Sequence, residues 1–215
     1  MPISPISFAT LQRTLLVHTL LGMRVFILAR HGQSVLNVSG TINGDPLRDP
    51  GLSQEGIEEA RGLGRQIGAV AVQVVVASPF PRALQTAHVA LEGREIPHVV
   101  DEDLGDIRIG ELEGATLADY RAAKAHADHD VRFPGGESLN EAAHRYARAF
   151  ERLLARSEPA TLVVCHEIPV RYAVNLTSGS DDLDKPLHTI ANATPYFFDE
   201  AGLRYALARM QELLH

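Results

Sequence analysis

The positions 25–29, Val-Phe-Ile-Leu-Ala, are apolar without interruption, and the runs at 72–77 and 161–165 are broken only by Gln73 and Thr161. A strand with one solvated face would alternate, so runs of this length predict strands buried on both faces, as in a parallel sheet. Between them the period changes. Within 54–70, Ile57, Ala60, Leu63 and Ile67 recur at three- and four-residue spacing, and within 81–91 Ala83, Leu84, Ala87 and Ala90 do the same. Ser53 is placed to cap the first of these helices. Ser138-Leu139-Asn140-Glu141 has the form of a capping box opening a helix over 139–154, which ends before Pro159. A further helix is expected at 168–176. The segments 194–198 and 203–207 read as a hairpin closing around Asp199-Glu200-Ala201-Gly202.

Strands alternating with helices of these lengths specify an α/β fold, three-layered, with a mostly parallel sheet and helices on both faces. One domain is expected at 23–215, preceded by an N-terminal extension at 1–22 to which the pattern assigns no role. Parallel strands joined by right-handed crossovers all end at one edge of the sheet, and ligands of open α/β sheets bind outside that edge. Each apolar run here ends on polar residues: Arg30-His31-Gly32 after the first, Ser78-Pro79 with Arg82 after the second, His166 after the third. Two histidines and two arginines distant in sequence are thereby predicted to converge.

Charge narrows what that convergence can serve. With 20 Lys and Arg against 27 Asp and Glu the chain carries −7, the wrong sign for broad capture of nucleic acid or an anionic membrane surface. An anionic ligand therefore needs a local cluster of arginines, which screening allows inside an acidic protein. The single cysteine, Cys165, excludes an internal disulfide and fits a reducing cytoplasm, and it precedes His166 as a core thiol pointing to the opposite side. His18, Gly22 and Arg24 interrupt the apolar residues of 15–29 before a membrane span is reached, and 1–22 lacks the pattern of a signal peptide.

Two guanidiniums offer bidentate donors to a phosphate, and the helix start beyond Ser78 adds free N–H groups and a favourable dipole. An imidazole among such charges is held neutral, and a neutral imidazole can attack phosphorus. The segments RHGQSVLN (30–37), SPFPRALQTA (78–87), LGDIRIGELEG (104–114), PGGES (134–138) and VVCHE (163–167) together resemble the histidine phosphatase superfamily, the phosphoglycerate-mutase-like group, over roughly 24–200. That resemblance implies that His31 carries the phosphoryl group, that Arg30 and Arg82 bind phosphate with Asn37 completing the pocket, and that His166 stabilises the group in transfer. It implies neither metal nor other cofactor, and a small phosphomonoester as partner. The family's proton-donating glutamate is replaced by Asp106, one methylene shorter, with Glu111 and Glu113 as neighbouring substitutes. Glu167 stands where the family commonly has glycine; it would repel a dianion, raise a neighbouring pKa, or turn away.

Other motifs fail on context. GLGRQIG (62–68) lies inside a helical pattern rather than after a strand, His166-Glu167 lacks the second histidine of a zinc protease, and Asn140 stands where a nucleophile elbow needs glycine. His126, Asp128 and His129 read as a solvated end rather than a metal site. Three functions remain open at this level: a phosphatase, a mutase that returns the phosphoryl group to a bound intermediate, and a non-catalytic phospho-ligand module. Mutases of the family that the chain resembles tend to carry a longer insertion before the Gly-Gly-Glu-Ser segment than the interval 115–133 here, so the resemblance implies hydrolysis over the mutase; that interval with 41–50 is where leaving-group recognition is expected.

Overall fold

The computed structural model describes residues 24–125, 128–183 and 189–214; the 1–22 extension and His126 lie outside them. Five strands, β1 (Val25–Arg30), β2 (Val74–Ala77), β3 (His98–Val100), β4 (Ala160–Cys165) and β5 (Pro195–Asp199), form one sheet in the order β3-β2-β4-β1-β5. All neighbours are parallel except β5, which runs antiparallel to β1. Seven helices join them: α1 (Val35–Ser39), α2 (Gln54–Gln66), α3 (Pro81–Ala90), α4 (Leu117–Ala125), α5 (Leu139–Ala155), α6 (Glu167–Thr177) and α7 (Glu200–Leu213). The α/β class and the mostly parallel sheet are those expected.

The uninterrupted apolar runs are explained by two cores on opposite faces of the sheet. Phe26 and Leu28 of β1, Val76 of β2, and Val163 and Cys165 of β4 pack with α5, α6 and α7. Val25, Ile27, Ala29, Val75, Leu162 and Val164 alternate to the other face, against α2 and α3. Ser53 caps α2 by accepting from Gly56 N–H, and Ser138 and Glu141 form the reciprocal box at α5.

The hairpin expected at the C-terminus is not formed. The Asp199 side chain accepts from Gly202 N–H and starts α7, so Asp199-Glu200-Ala201-Gly202 is a helix cap rather than a turn. Leu203, Ala206, Leu207 and Met210 then supply a buried helical stripe. α2 also stops four residues short of the expected end.

Register sets the site. Arg30 lies opposite Cys165 and Ala77 opposite Val164, with His31 N–H donating to Cys165 O at 2.9 Å and Ser78 N–H to Val164 O at 2.9 Å. The residues after three central strands thus meet at one edge.

Candidate active site

His31 leaves β1 into a tight seam. A side chain at Gly32 would place its Cβ 2.5 Å from Gly56 O, so glycine is required for α2 to approach, while Gly32 N–H donates to Thr86 Oγ1 at 2.9 Å. The buried imidazole is bonded at both nitrogens: Nδ1 is 2.7 Å from Gly32 O, and Nε2 is 3.1 Å from Arg82 Nε. A carbonyl only accepts and a guanidinium only donates, so the proton sits on Nδ1 and the Nε2 lone pair faces Arg82. Burial, reinforced by Arg82, His166 and Arg30, lowers the His31 pKa well below its ordinary value, and the Gly32 carbonyl opposes this only in part. The ring is therefore neutral at neutral pH, the form whose lone pair can attack an electrophile.

Arg82 enters from the first turn of α3, behind Pro81. Its backbone N–H donates to Asp49 Oδ2 at 2.9 Å, and its guanidinium donates to Asn43 Oδ1 at 2.7 Å, Asn43 O at 3.2 Å and Asp106 Oδ2 at 2.8 Å. The Asp49 carboxylate, fully buried, lies 3.4 Å from Nη1. A guanidinium withdrawn from water needs such partners, because an uncompensated buried charge costs several kcal/mol. Neither Asn43 nor Asp49 was expected from the sequence; both come from the loop between α1 and α2.

His166 caps α6 and is completely buried. Its Nε2 is 2.8 Å from Ser78 Oγ, its Nδ1 is 3.2 Å from Asp106 Oδ2, and its ring meets His31 with centroids 5.2 Å apart. Burial lowers its pKa and outweighs the upward pull of Asp106, and Arg82 lowers it further. For Asp106 the balance reverses. Burial pushes the carboxyl up, but His166 and Arg82 together hold it well below the usual carboxylate range.

Of the three candidate acids, only Asp106 reaches this cluster. Glu113 accepts from Gly44 N–H and Asn43 Nδ2 and braces the Asn43 loop, and Glu111 is exposed outside the cavity. The Asp106 loop is clamped from behind by the buried pair Arg145–Glu137: Arg145 donates to Gly105 O at 2.8 Å and Asp106 O at 3.1 Å, while Glu137 accepts from Arg108 N–H at 3.0 Å. A signal for this clamp was present. Arg145 interrupts the apolar stripe of Ala142, Tyr146 and Ala149 on α5.

Arg30 donates to Ile190 O at 3.0 Å and lies 3.5 Å from Glu167, and among the described residues its buried Nε has no hydrogen-bond partner. Glu167 is also paired with Arg171, so its carboxylate turns to two guanidiniums. Asn37 lines the cavity, but its Oδ1 accepts from Ser34 N–H within the capping box of α1, leaving Nδ2 as the group able to donate to an anion. Cys165 is in the core, where burial pushes its thiol up to about 12. Among the described residues no cluster of three or more His, Cys, Asp or Glu side chains could hold a metal, and no helix is long and apolar enough to cross a membrane.

Arg30, His31, Arg82, Asp106 and Glu167 share one cavity of about 600 Å³. A nucleophilic imidazole beside a guanidinium, a second imidazole and a carboxylate is a set suited to phosphoryl transfer.

Comparison with known proteins leads to the superfamily that the motifs resemble. The family model described as Histidine phosphatase superfamily (branch 1) matches residues 26–211. The chain is 32% identical over 192 residues to a 2,3-bisphosphoglycerate-dependent phosphoglycerate mutase of Methylobacterium radiotolerans, covering 81% of this chain and 89% of that one. To a protein of the same name from Methylobacterium sp. it is 37% identical over 134 residues, 57% of this chain and 64% of that relative. A mycobacterial glucosyl-3-phosphoglycerate phosphatase solved with VO3 superposes with a TM-score of 0.67 at 25% identity, covering 81% of this chain and 92% of that one. The motifs, the sheet and the match across nearly all of the described residues place this chain in the histidine phosphatase superfamily, to which it belongs.

Proposed function

We propose that this chain is a phosphomonoesterase that hydrolyses a small phosphorylated metabolite in the cytoplasm through a phosphohistidine on His31, without a metal. The observation that carries the reading is the 3.1 Å contact of His31 Nε2 with Arg82 Nε in a cluster that also holds His166 and Asp106. An arriving phosphate takes over the Arg82 donors and the unsatisfied Arg30 Nε–H, which frees the Nε2 lone pair. Nε2 then attacks phosphorus in line; the N–P bond forms as the P–O ester bond breaks. Arg30, Arg82 and His166 stabilise the equatorial oxygens as charge develops, and Asn37 adds its amide.

The leaving oxygen needs a proton, yet Asp106 is ionised at rest. A phosphomonoester with a second pKa of ~6 brings that proton as its monoanion and passes it to Asp106 inside the site. Asp106 hands it to the departing alcohol, then takes a proton from the water whose oxygen attacks phosphohistidine as the N–P bond breaks; that proton leaves with the released phosphate, restoring neutral His31 and ionised Asp106. Rapid quench with phenyl phosphate is expected to trap acid-labile, base-stable phosphate on His31, and full turnover by His31→Ala would refute the reading.

The names of the curated relatives support a second reading, transfer back to a bound intermediate as a mutase. The short interval between the acid loop and Pro134-Gly135-Gly136 favours water as acceptor. Phosphate release measured against isomer formation from phosphoglycerate separates the two.

A further inference from the structure

The cavity extends well beyond the cluster around His31. At about 600 Å³ it lies in the range that encloses drug-sized ligands, far more than a phosphoryl group fills. One wall of it is α4. Leu117, Tyr120, Arg121 and Lys124 all line the cavity, and their spacing of three, four and seven residues makes them a single stripe along one face of that helix. The stripe is ordered: apolar at its N-terminal half, cationic at its C-terminal half, with Leu117 to Lys124 rising ~10 Å along the axis.

Core burial does not account for this stripe, because no residue of α4 is buried and Leu117 is 40% exposed. Tyr120 does lean on the core through Phe133, with ring centroids 5.5 Å apart, which fixes the helix against the body of the protein. Cations near a helix C-terminus also suit the dipole, but the dipole is indifferent to which face carries them. Here they face the cavity. Ile42, Ile107 and Ile109 line the same cavity and continue its apolar lining. Among the described residues five cationic side chains and two carboxylates line the cavity, in a chain whose formal charge is −7.

We propose that the α4 half of the cavity is a leaving-group subsite for a phosphomonoester whose alcohol has an apolar body ending in a second anionic group. The inference rests on the reading that the phosphoryl group sits at His31. The apolar body lies along Leu117, Tyr120 and the isoleucines, and the distal anion meets Arg121 and Lys124.

Phosphonates, whose P–C bond is not cleaved, test this apart from catalysis. Calorimetry is run with phenylphosphonate bearing a para-carboxyethyl chain and with its primary amide. The carboxylate is expected to bind at least tenfold tighter than the amide. The Arg121→Gln/Lys124→Gln double variant brings that ratio within twofold, and the charge-conserving Arg121→Lys keeps it within about threefold of the unsubstituted protein. Equal affinity for the two phosphonates, binding of neither, or a ratio that survives the double variant overturns the proposal. If the double variant does not fold, the ratio in the unsubstituted protein still decides. Turnover of the corresponding aryl phosphates reports separately on hydrolysis: a tenfold binding ratio without turnover sinks the phosphatase reading and leaves the subsite standing.

Discussion

The two ends of the cavity are built on different principles. At the near end His31, Arg82 and His166 emerge from strand termini or the helix that follows, are withdrawn from water, and are bonded to partners from other elements: Arg82 alone joins the Asn43–Asp49 loop, His31, the Asp106 loop and His166. Along α4, a nine-residue helix with no buried residue, four side chains line the cavity and only Tyr120 leans on the core. The contrast separates chemistry from recognition. Transition-state charge is stabilised best by groups fixed beforehand, whereas a leaving group can be selected by a wall that exchanges side chains without disturbing the core.

The largest effect that sharpens this contrast is His31→Ala, for which kcat/KM is expected to fall at least about 10³-fold with no trapped phosphoenzyme, measured by rapid quench. Next is Arg82→Lys. A point charge cannot reproduce the fork that serves Asn43, Asp106 and His31 together, so activity should drop on the order of 10²- to 10³-fold and Tm should fall as buried Asp49 loses its guanidinium neighbour. Arg145→Met sits one layer behind the chemistry. It leaves Glu137 buried without its cation, costing about 3 kcal/mol in denaturant unfolding, and loosens the Asp106 loop, so kcat should fall about tenfold with KM little changed.

The pH profile provides a finer test. Because the His31 pKa is lowered, the neutral nucleophile persists as pH falls through 6.5, where an ordinary histidine would be charging. kcat/KM for phenyl phosphate is therefore expected to be highest below the substrate's second pKa of ~6 and to decline above it, approaching tenfold per pH unit, as the substrate loses the proton that Asp106 must deliver. A profile rising from 5.5 to 7.5 would contradict both parts. The smallest effect belongs to the far end: Leu117→Ala should change stability by less than about 0.5 kcal/mol in chemical denaturation, since Leu117 fills no core.

What could be read from the chain follows the same division. Uninterrupted apolar runs announced β1, β2 and β4, and parallel topology then brought Arg30, His31, Arg82 and His166 to one edge without any need for tertiary detail. Asn43 and Asp49 carried no such signal, because a loop residue acquires its role only when the loop folds over α3. β3 was not announced for a related reason: His98, Val99 and Val100 form an exposed edge with no buried run. Asp199-Glu200-Ala201-Gly202 was misread because turn chemistry and helix capping use the same residues, and only the buried spacing of Leu203, Ala206 and Met210 distinguishes them. Glu113 looked like a spare acid because proximity in sequence to Asp106 says nothing about which way a 3₁₀ turn directs it.

The bond from His31 Nδ1 to Gly32 O has one further effect, on the second half of the proposed cycle. With a proton held on Nδ1, phosphorylation at Nε2 yields an imidazolium rather than a neutral ring, and a cationic ring departs from phosphorus as a neutral, weakly basic molecule. A backbone carbonyl 2.7 Å away thus sets how briefly the phosphorylated enzyme survives.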